Sequence, residues 1–228
     1  MRRKYAWKSL EPKIATVPLV LTVASLGFGT WLLIEQLPVL AQSSGHLATI
    51  ATVPQRGNIY GYQRDAFGHG WQPTGIGSCT TREAIIYDQL HNDHTISFQQ
   101  WCSTPAHVRE PLRGKDLYSD RIIATHPHEQ EAAIEVDHIF PLRAAWDLGA
   151  VYWDEATRIA FANDPKNLVA VSKQENREKS DQLPSKWLPP LRAQRCWYVN
   201  RLAEVASIYQ LYLAESDVAV MRKQCILG

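Results

Sequence analysis

The chain has 228 residues, enough for one domain with a sizeable core and a short appendage. Five of its 24 basic residues and two of its 23 acidic residues lie within residues 1–41, so the rest carries 19 basic and 21 acidic residues. This balance excludes a globally basic nucleic-acid binder and leaves only local contacts with a polyanion.

The amino terminus gives the first signal in chain order. A basic cluster, MRRKYAWK, precedes 21 uncharged residues from Ile14 to Ile34, a length that can span a bilayer. We therefore expect residues 1–42 to be a signal peptide or a signal anchor, with a transmembrane helix over about 14–34. The length of the run favours an anchor, whereas the small residues Val39 and Ala41 favour cleavage. In both cases the remaining residues are secreted or extracytoplasmic, and they stay attached to the membrane if the segment is uncleaved.

Export changes the interpretation of the four cysteines. No Cys-x-x-Cys pair is present, which disfavours a zinc site, and outside the cytosol an even number of separated cysteines favours two disulfides. Three connectivities are possible. The sequential one closes the shortest loops and is the one we expect: Cys79–Cys102 and Cys196–Cys225.

Local patterns predict short helices and strands after an irregular stretch over 43–78. Thr80 and Glu83 have the spacing of a capping box, as have Ser172 and Glu175. The predicted helices cover 80–91, 142–150, 154–164, 172–180, 192–213 and 216–223, and the predicted strands cover 95–102, 121–124, 132–136 and 167–171. Helices and antiparallel strands mixed without βαβ alternation indicate the α+β class.

The stretch VDHIFPL, Val136–Leu142, places an acid and an imidazole at the end of an apolar strand. Because neighbouring strand residues point to opposite faces, we expect the strand to end there, with Asp137 and His138 both exposed to one site. The alternative is a structural pair that caps a turn before Pro141.

Two asparagines extend this group. Asn167 precedes the next strand, and Asn176 lies one turn inside a capped helix, where asparagine is unfavourable. Oxygen ligands from Asp137 and Asn176 suit a hard divalent cation that binds phosphate, and His138 could accept a proton from an attacking water. The pattern therefore predicts hydrolysis of a phosphodiester with one metal ion.

These residues resemble the ββα-metal, or HNH, nuclease motif in its Asp-His, Asn, Asn form. The run Asn176–Asp181 is similar to one in the HNH domain of RNA-guided CRISPR nucleases. Three further stretches extend the resemblance: YQRDAFGHGW, CTTREAI and RCWYVNRLAEVASIYQL. Together, the residues from about 60 to 225 resemble secreted bacterial HNH nucleases related to the carboxy-terminal domain of GmrSD-type restriction enzymes. The resemblance implies a nuclease domain over 43–228. Its ββα-metal (HNH, His-Me finger) core, about 133–182, is expected within a mostly helical domain with short antiparallel strands.

The resemblance also implies roles for single residues. Asp137 and Asn176 match metal ligands, and His138 matches the general base. Asn167 matches the residue that braces the loop between the strands. Asparagine in place of histidine at position 176 favours Mg²⁺ or Mn²⁺ over Zn²⁺.

Two cations are expected to contact phosphate. Arg82 matches an arginine of the family, and Lys179 is a second candidate for the same task. The alternative for Arg82 is an ordinary charge on a helix surface.

Two functions from different classes follow. The first is a monomeric, exported, metal-dependent HNH endonuclease that hydrolyses DNA, with RNA as a second candidate substrate and little sequence preference. The second is a catalytically inactive HNH-fold module that binds nucleic acid or a partner at the cell envelope. Retention of Asp137 and His138 favours the enzyme, since a binding module needs no general base. A zinc hydrolase of another class is disfavoured by the absence of its ligand spacing.

Overall fold

The computed structural model describes residues 47, 49–90, 96–126 and 132–225. The predicted signal segment, residues 1–42, lies outside this part of the chain. Within the described residues, no helix is long and apolar enough to cross a membrane.

The described residues form short strands and helices of mixed order. The α-helices are α1 (Thr81–Leu90), α2 (Phe98–Ser103), α3 (Leu142–Asp147), α4 (Glu155–Ala162), α5 (Lys173–Lys179), α6 (Arg195–Ile208) and α7 (Glu215–Gln224). The strands are β1 (Thr52–Val53), β2 (Arg113–Lys115), β3 (Ile122–Ala124), β4 (Ala132–His138), β5 (Leu168–Ser172) and β6 (Leu213–Ala214). The α+β class predicted from the sequence is confirmed.

A four-stranded sheet in the order β2-β3-β4-β5 holds the Asp-His pair. β4 and β5 are antiparallel, and α5 follows β5 directly and packs on β4. The expectation of antiparallel strands alone is wrong, because β3 pairs with β4 in parallel and β1 pairs with β6 in parallel.

The register of β4 and β5 separates the acidic side chains from His138. Asp137 lies opposite Val169, and Glu135 lies opposite Val171, so these four side chains share one face. His138 lies on the other face, together with the apolar residues of a smaller core that includes Ile134, Val136, Leu168 and Ala170. Two cores therefore flank this strand pair, since Val169 and Val171 belong to the larger core.

The predicted strand over 95–102 is wrong, because residues Phe98–Ser103 form helix α2. Ser97 accepts a hydrogen bond from the Gln100 backbone N–H, and the Gln100 side chain accepts one from the Ser97 backbone N–H. This reciprocal cap stabilises a helical turn, and the alternation of apolar residues does not override it.

The long helix predicted over 192–213 ends at Ile208. Gln210 adopts a left-handed conformation with φ 52°, and the Leu211 backbone N–H donates to the Ala206 carbonyl at 2.9 Å. Such a turn satisfies carbonyls at the helix end and releases Leu213–Ala214 to pair with β1.

Helix α5 begins at Ser172, whose Oγ accepts from the Glu175 backbone N–H at 3.3 Å. In the predicted capping box, the Ser172 backbone N–H would donate to the Glu175 side chain. In the structure this N–H donates instead to Asp116 Oδ2 at 2.9 Å. The cap fixes α5 directly after β5 and so sets which of its side chains face β4.

Both predicted disulfides are present. Cys79–Cys102 joins the chain just before α1 to α2, and Cys196–Cys225 joins the first turn of α6 to the residue after α7.

Candidate active site

His138 is the last residue of β4, and its ring is held on two sides. Its Nε2 lies 2.9 Å from the Ala162 carbonyl oxygen, and the Trp71 ring stacks on it with centroids 5.4 Å apart and planes 12° from parallel. A carbonyl only accepts hydrogen bonds, so Nε2 must carry the proton, and Nδ1 is left as the unprotonated nitrogen. Within the described residues Nδ1 has no hydrogen-bond partner, which leaves it available to accept a proton.

The imidazole is neutral because it is buried. Burial lowers the pKa of His138 to about 3, the bond to the Ala162 carbonyl opposes this shift, and the positive charges of Arg64 and Lys179 lower the pKa further. At neutral pH the ring is therefore in the form that a general base requires.

Asp137 is also buried, so the expectation that both groups occupy an exposed strand end is wrong. Tyr118 Oη donates to Asp137 Oδ2 at 2.8 Å, and Lys179 Nζ lies 3.1 Å from Oδ1 and 2.9 Å from Oδ2. Burial raises the pKa of Asp137, and the ammonium of Lys179 opposes that rise. Protein donors thus surround this carboxylate, which does not fit a free metal ligand.

Lys179 is fully buried, with 0% of its side chain exposed. Besides Asp137, its Nζ donates to the His138 carbonyl oxygen at 2.8 Å. The prediction that Lys179 contacts phosphate does not agree with this position, because a substrate phosphate cannot reach an ammonium enclosed by Asp137 and the β4 backbone.

Asn176 contacts a different acid from the one expected. Its Nδ2 donates to Glu135 Oε2 at 2.7 Å, and both side chains are partly exposed. Within the described residues no group of three or more His, Cys, Asp or Glu side chains could hold a metal ion. A carboxylate and an amide oxygen nevertheless fit a hydrated Mg²⁺ or Mn²⁺ that keeps several waters.

Asn167 fixes the backbone just beyond His138. Its Oδ1 accepts from the Phe140 N–H at 2.7 Å, its Nδ2 donates to the Phe140 carbonyl at 3.2 Å, and its own carbonyl accepts from the Ile139 N–H at 2.8 Å. Asn167 thereby ties the segment that leaves β4 to the residue that enters β5.

Two arginines supply positive charge near this strand pair. Arg82, on α1, donates to the Ile134 carbonyl at 3.3 Å and pairs with Glu83 at 3.2 Å, with 37% of its side chain exposed. Arg64 is exposed, makes no hydrogen bond or ion pair with a described residue, and is close enough to lower the pKa of His138.

Sequence reasoning missed three residues of this site. Arg64 and Trp71 lie in YQRDAFGHGW, a stretch that already carried part of the resemblance. Glu135 has a simpler signal, because it stands two residues before Asp137 and therefore shares its face of the strand.

Comparison with known proteins gives two matches. The family described as GmrSD restriction endonucleases, C-terminal domain, matches residues 86–223, which include His138, Asn167 and Asn176. An "Uncharacterized secreted protein" from Arthroderma benhamiae is 32% identical over 185 residues, which are 79% of this chain and 82% of that protein. No solved structure matches.

Proposed function

The chain belongs to the family of GmrSD restriction endonuclease C-terminal domains, and from this we propose that it is a metal-dependent nuclease that hydrolyses phosphodiester bonds. DNA is the first substrate and RNA the second, both cleaved with little sequence preference. The observation that carries the proposal is the bond between His138 Nε2 and the Ala162 carbonyl, which leaves Nδ1 free as a base.

His138 acts on the attacking water. As the water oxygen bonds to phosphorus, Nδ1 takes one of its protons and the ester P–O bond breaks. The leaving alkoxide takes a proton from solvent, so the products are a phosphate monoester and an alcohol, and the imidazolium then returns its proton to solvent. Trp71 holds the imidazole ring, and Asn167 holds the backbone that follows it. Neither residue needs to touch the substrate to serve this step.

The substrate phosphate is negatively charged and needs cations. We propose that two arginines bind this phosphate. Arg82 is the contact predicted from the sequence, and Arg64 is recognised from its position near His138. A divalent cation, Mg²⁺ or Mn²⁺, would add positive charge at the phosphate when bound, and Asn176 would be one of its ligands. The antiparallel β4–β5 pair followed by α5 supports the proposal that this region is an HNH core.

Export is part of the same proposal. Two disulfides suit an oxidising compartment, and the relative from Arthroderma benhamiae is described as secreted. We therefore propose that the nuclease acts outside the cytoplasm. Anchoring through residues 14–34 and a monomeric state are predictions from the sequence.

A cleavage assay tests the function directly. The purified protein should nick plasmid DNA with Mg²⁺ or Mn²⁺, lose this activity in EDTA and regain it when metal is added back. RNA in parallel reactions measures the second substrate, and His138→Ala is the control for a contaminating nuclease. Full cleavage in EDTA would show that no metal is required.

The inactive binding module is the second candidate, and the closed Asp137–Lys179 pair favours it, because that carboxylate is not free. It predicts binding of nucleic acid without cleavage under every metal condition. Binding measured by fluorescence anisotropy, beside the cleavage assay, separates the two functions.

A further inference from the structure

We propose that Tyr60 is a stacking platform for an unpaired base, so that single-stranded nucleic acid is the preferred substrate. This inference rests on the proposed function and deepens it, since it names the form of nucleic acid that the same site binds best. Duplex DNA remains a substrate, but it is held through its phosphates alone.

Tyr60 has an unusually open side chain. Among the large apolar side chains of the described residues it is the most exposed, at 99%. The ring therefore contacts almost no other residue, and both of its faces are open to a ligand. Single exposed aromatic residues are common on protein surfaces, so exposure alone assigns no function. The backbone on either side of Tyr60 distinguishes it from an ordinary surface residue.

Buried charges hold the backbone just before Tyr60. The Ile59 N–H donates to Asp147 Oδ1 at 2.9 Å, and the Ile59 carbonyl accepts from Arg143 at 3.3 Å. The Asp147 side chain is only 2% exposed, and Arg56 donates to its other oxygen at 2.9 Å. Both backbone polar groups of Ile59 are thus fixed by side chains that are themselves paired.

The backbone just after Tyr60 is fixed by a turn and by packing. Gly61 has φ 89°, a conformation that glycine adopts without strain, and Tyr62 then packs on Phe67 and Trp146 with ring centroids 6.3 and 6.1 Å away. Tyr60 therefore projects into solvent from a segment that is anchored on both sides. An aromatic ring presented in this way loses little freedom when a base stacks on it.

A free cation lies close to Tyr60 on the same segment. Arg64 follows four residues later, at most about 14 Å away along the chain. It is exposed, makes no hydrogen bond or ion pair with a described residue, and its charge acts on His138. A strand whose phosphate binds Arg64 therefore has a nearby base within reach of Tyr60. Positive charge along the backbone combined with an aromatic side chain under a base is the usual way to bind a single strand.

Stacking on Tyr60 discriminates between single strands and duplexes. In a duplex both faces of an inner base are covered by its neighbours, so the base must be unpaired and unstacked before it can reach the ring. A base in a single strand avoids the cost of unpairing. Because every base has a π-face, stacking also agrees with the little sequence preference that we propose.

Binding of two synthetic strands tests the inference on the purified protein. Fluorescence anisotropy in EDTA, which blocks metal-dependent cleavage, gives the Kd for oligo(dT) of about 12 nucleotides and for an abasic strand of the same length. Tyr60→Ala should raise the Kd for oligo(dT) by about 5- to 150-fold, the usual effect of losing one stacked base. It should leave the Kd for the abasic strand unchanged, because that strand has phosphates but no bases. Tyr60→Phe keeps the ring and should bind both strands as the wild type does.

Tyr152→Ala is the matched control. Tyr152 is 87% exposed and lies in the turn after α3, where its backbone N–H donates to the Gly149 carbonyl at 3.1 Å. Its loss should change neither Kd. Wild-type binding of oligo(dT) by Tyr60→Ala, or equal weakening by Tyr60→Ala and Tyr152→Ala, would overturn the inference. A wild type that binds oligo(dT) no better than the abasic strand would overturn it as well.

Failure of the proposed function gives a different result. A protein that binds oligo(dT) through Tyr60 but cleaves neither DNA nor RNA would keep the stacking platform and lose the nuclease. A protein that cleaves single-stranded and duplex DNA at equal rates, with no change in Tyr60→Ala, would keep the nuclease and lose the platform. If both proposals hold, the wild type cleaves single strands faster than duplexes, and Tyr60→Ala loses this preference.

Discussion

At the scale of single residues, one hydrogen bond and one burial effect prepare His138 for its role. The Ala162 carbonyl fixes the proton on Nε2, and burial lowers the pKa of the ring to about 3. A histidine in water has a pKa of about 6.5 and is therefore half protonated at about pH 6.5. His138 therefore stays unprotonated in acid solutions that would protonate an exposed histidine.

Cleavage should accordingly persist below pH 6.5, the region where an unperturbed histidine base would fail. His138→Ala should lower the cleavage rate by roughly 10²–10⁴-fold, the usual contribution of general-base catalysis. Initial rates on plasmid DNA at about pH 7, 6 and 5 measure both effects. A wild-type rate that falls tenfold per pH unit just below pH 6.5 contradicts the buried, neutral ring. A His138→Ala rate equal to that of the wild type contradicts its role as the base.

The same pKa shift makes stability depend on pH. Between the folded pKa of about 3 and the unfolded value of about 6.5, the unfolded chain binds a proton at His138 and the folded protein does not. The free energy of unfolding should therefore decrease as pH falls through this window, by up to roughly 1.4 kcal/mol per pH unit. Urea unfolding at about pH 7, 6 and 5 measures the slope. His138→Gln is the control, because removal of the imidazole should flatten the slope in this range.

The site shows why sequence reasoning identified some residues and not their partners. Asp137, His138, Asn167 and Asn176 stand in a recognisable order, so their places on β4, just before β5 and on α5 could be predicted. The counter-ion of Asp137 could not, because Lys179 lies 42 residues further along the chain in a run that has the composition of a solvated helix end. Only the packing of α5 on β4 turns that lysine inward.

At the scale of elements, α5 depends on this buried pair. Lys179→Met would leave the Asp137 carboxylate buried without its counter-ion, a change that typically costs about 3–5 kcal/mol. Lys166→Met is the matched control, because Lys166 Nζ pairs with Glu204 at 2.6 Å but is half exposed, and such pairs contribute about 0–1 kcal/mol. Urea unfolding at neutral pH compares the two variants. Equal stability of Lys179→Met and Lys166→Met would show that the buried pair does not support the strand end.

Elements with a strong local signal were predictable, and those set by distant contacts were not. A run of strand-forming apolar residues predicts β5, and a serine cap predicts the start of α5. Both predicted positions agree with the structure within a residue or two. The sequence predicts a strand at the position of helix α2, because six residues are too few to show a helical period. The parallel pairing of β1 with β6 joins residues about 160 positions apart, and no local pattern encodes it.

At the scale of the whole molecule, each disulfide lies in one of the two cores that flank the β4–β5 pair. Cys79 and Cys102 belong to the smaller core, on the face of His138, and Cys225 packs against the larger core. The sequence separations within the bridges, 23 and 29 residues, are similar. By the chain-entropy argument their contributions to stability should therefore be similar, and their effects on cleavage should differ only through position.

Removing the bridges separately tests this arrangement. The pairs Cys79→Ala with Cys102→Ala and Cys196→Ala with Cys225→Ala should each lower the free energy of unfolding by about 2–5 kcal/mol. Cys79 lies three residues before Arg82, so loss of its bridge loosens the start of α1 and should also lower the cleavage rate of the folded protein. Loss of the second bridge should leave that rate near the wild-type value, because no proposed site residue lies on α6 or α7. Urea unfolding and initial cleavage rates, measured well below the melting temperature, separate the two effects. Equal cleavage rates in the two variants would mean that the first bridge stabilises the domain without positioning Arg82.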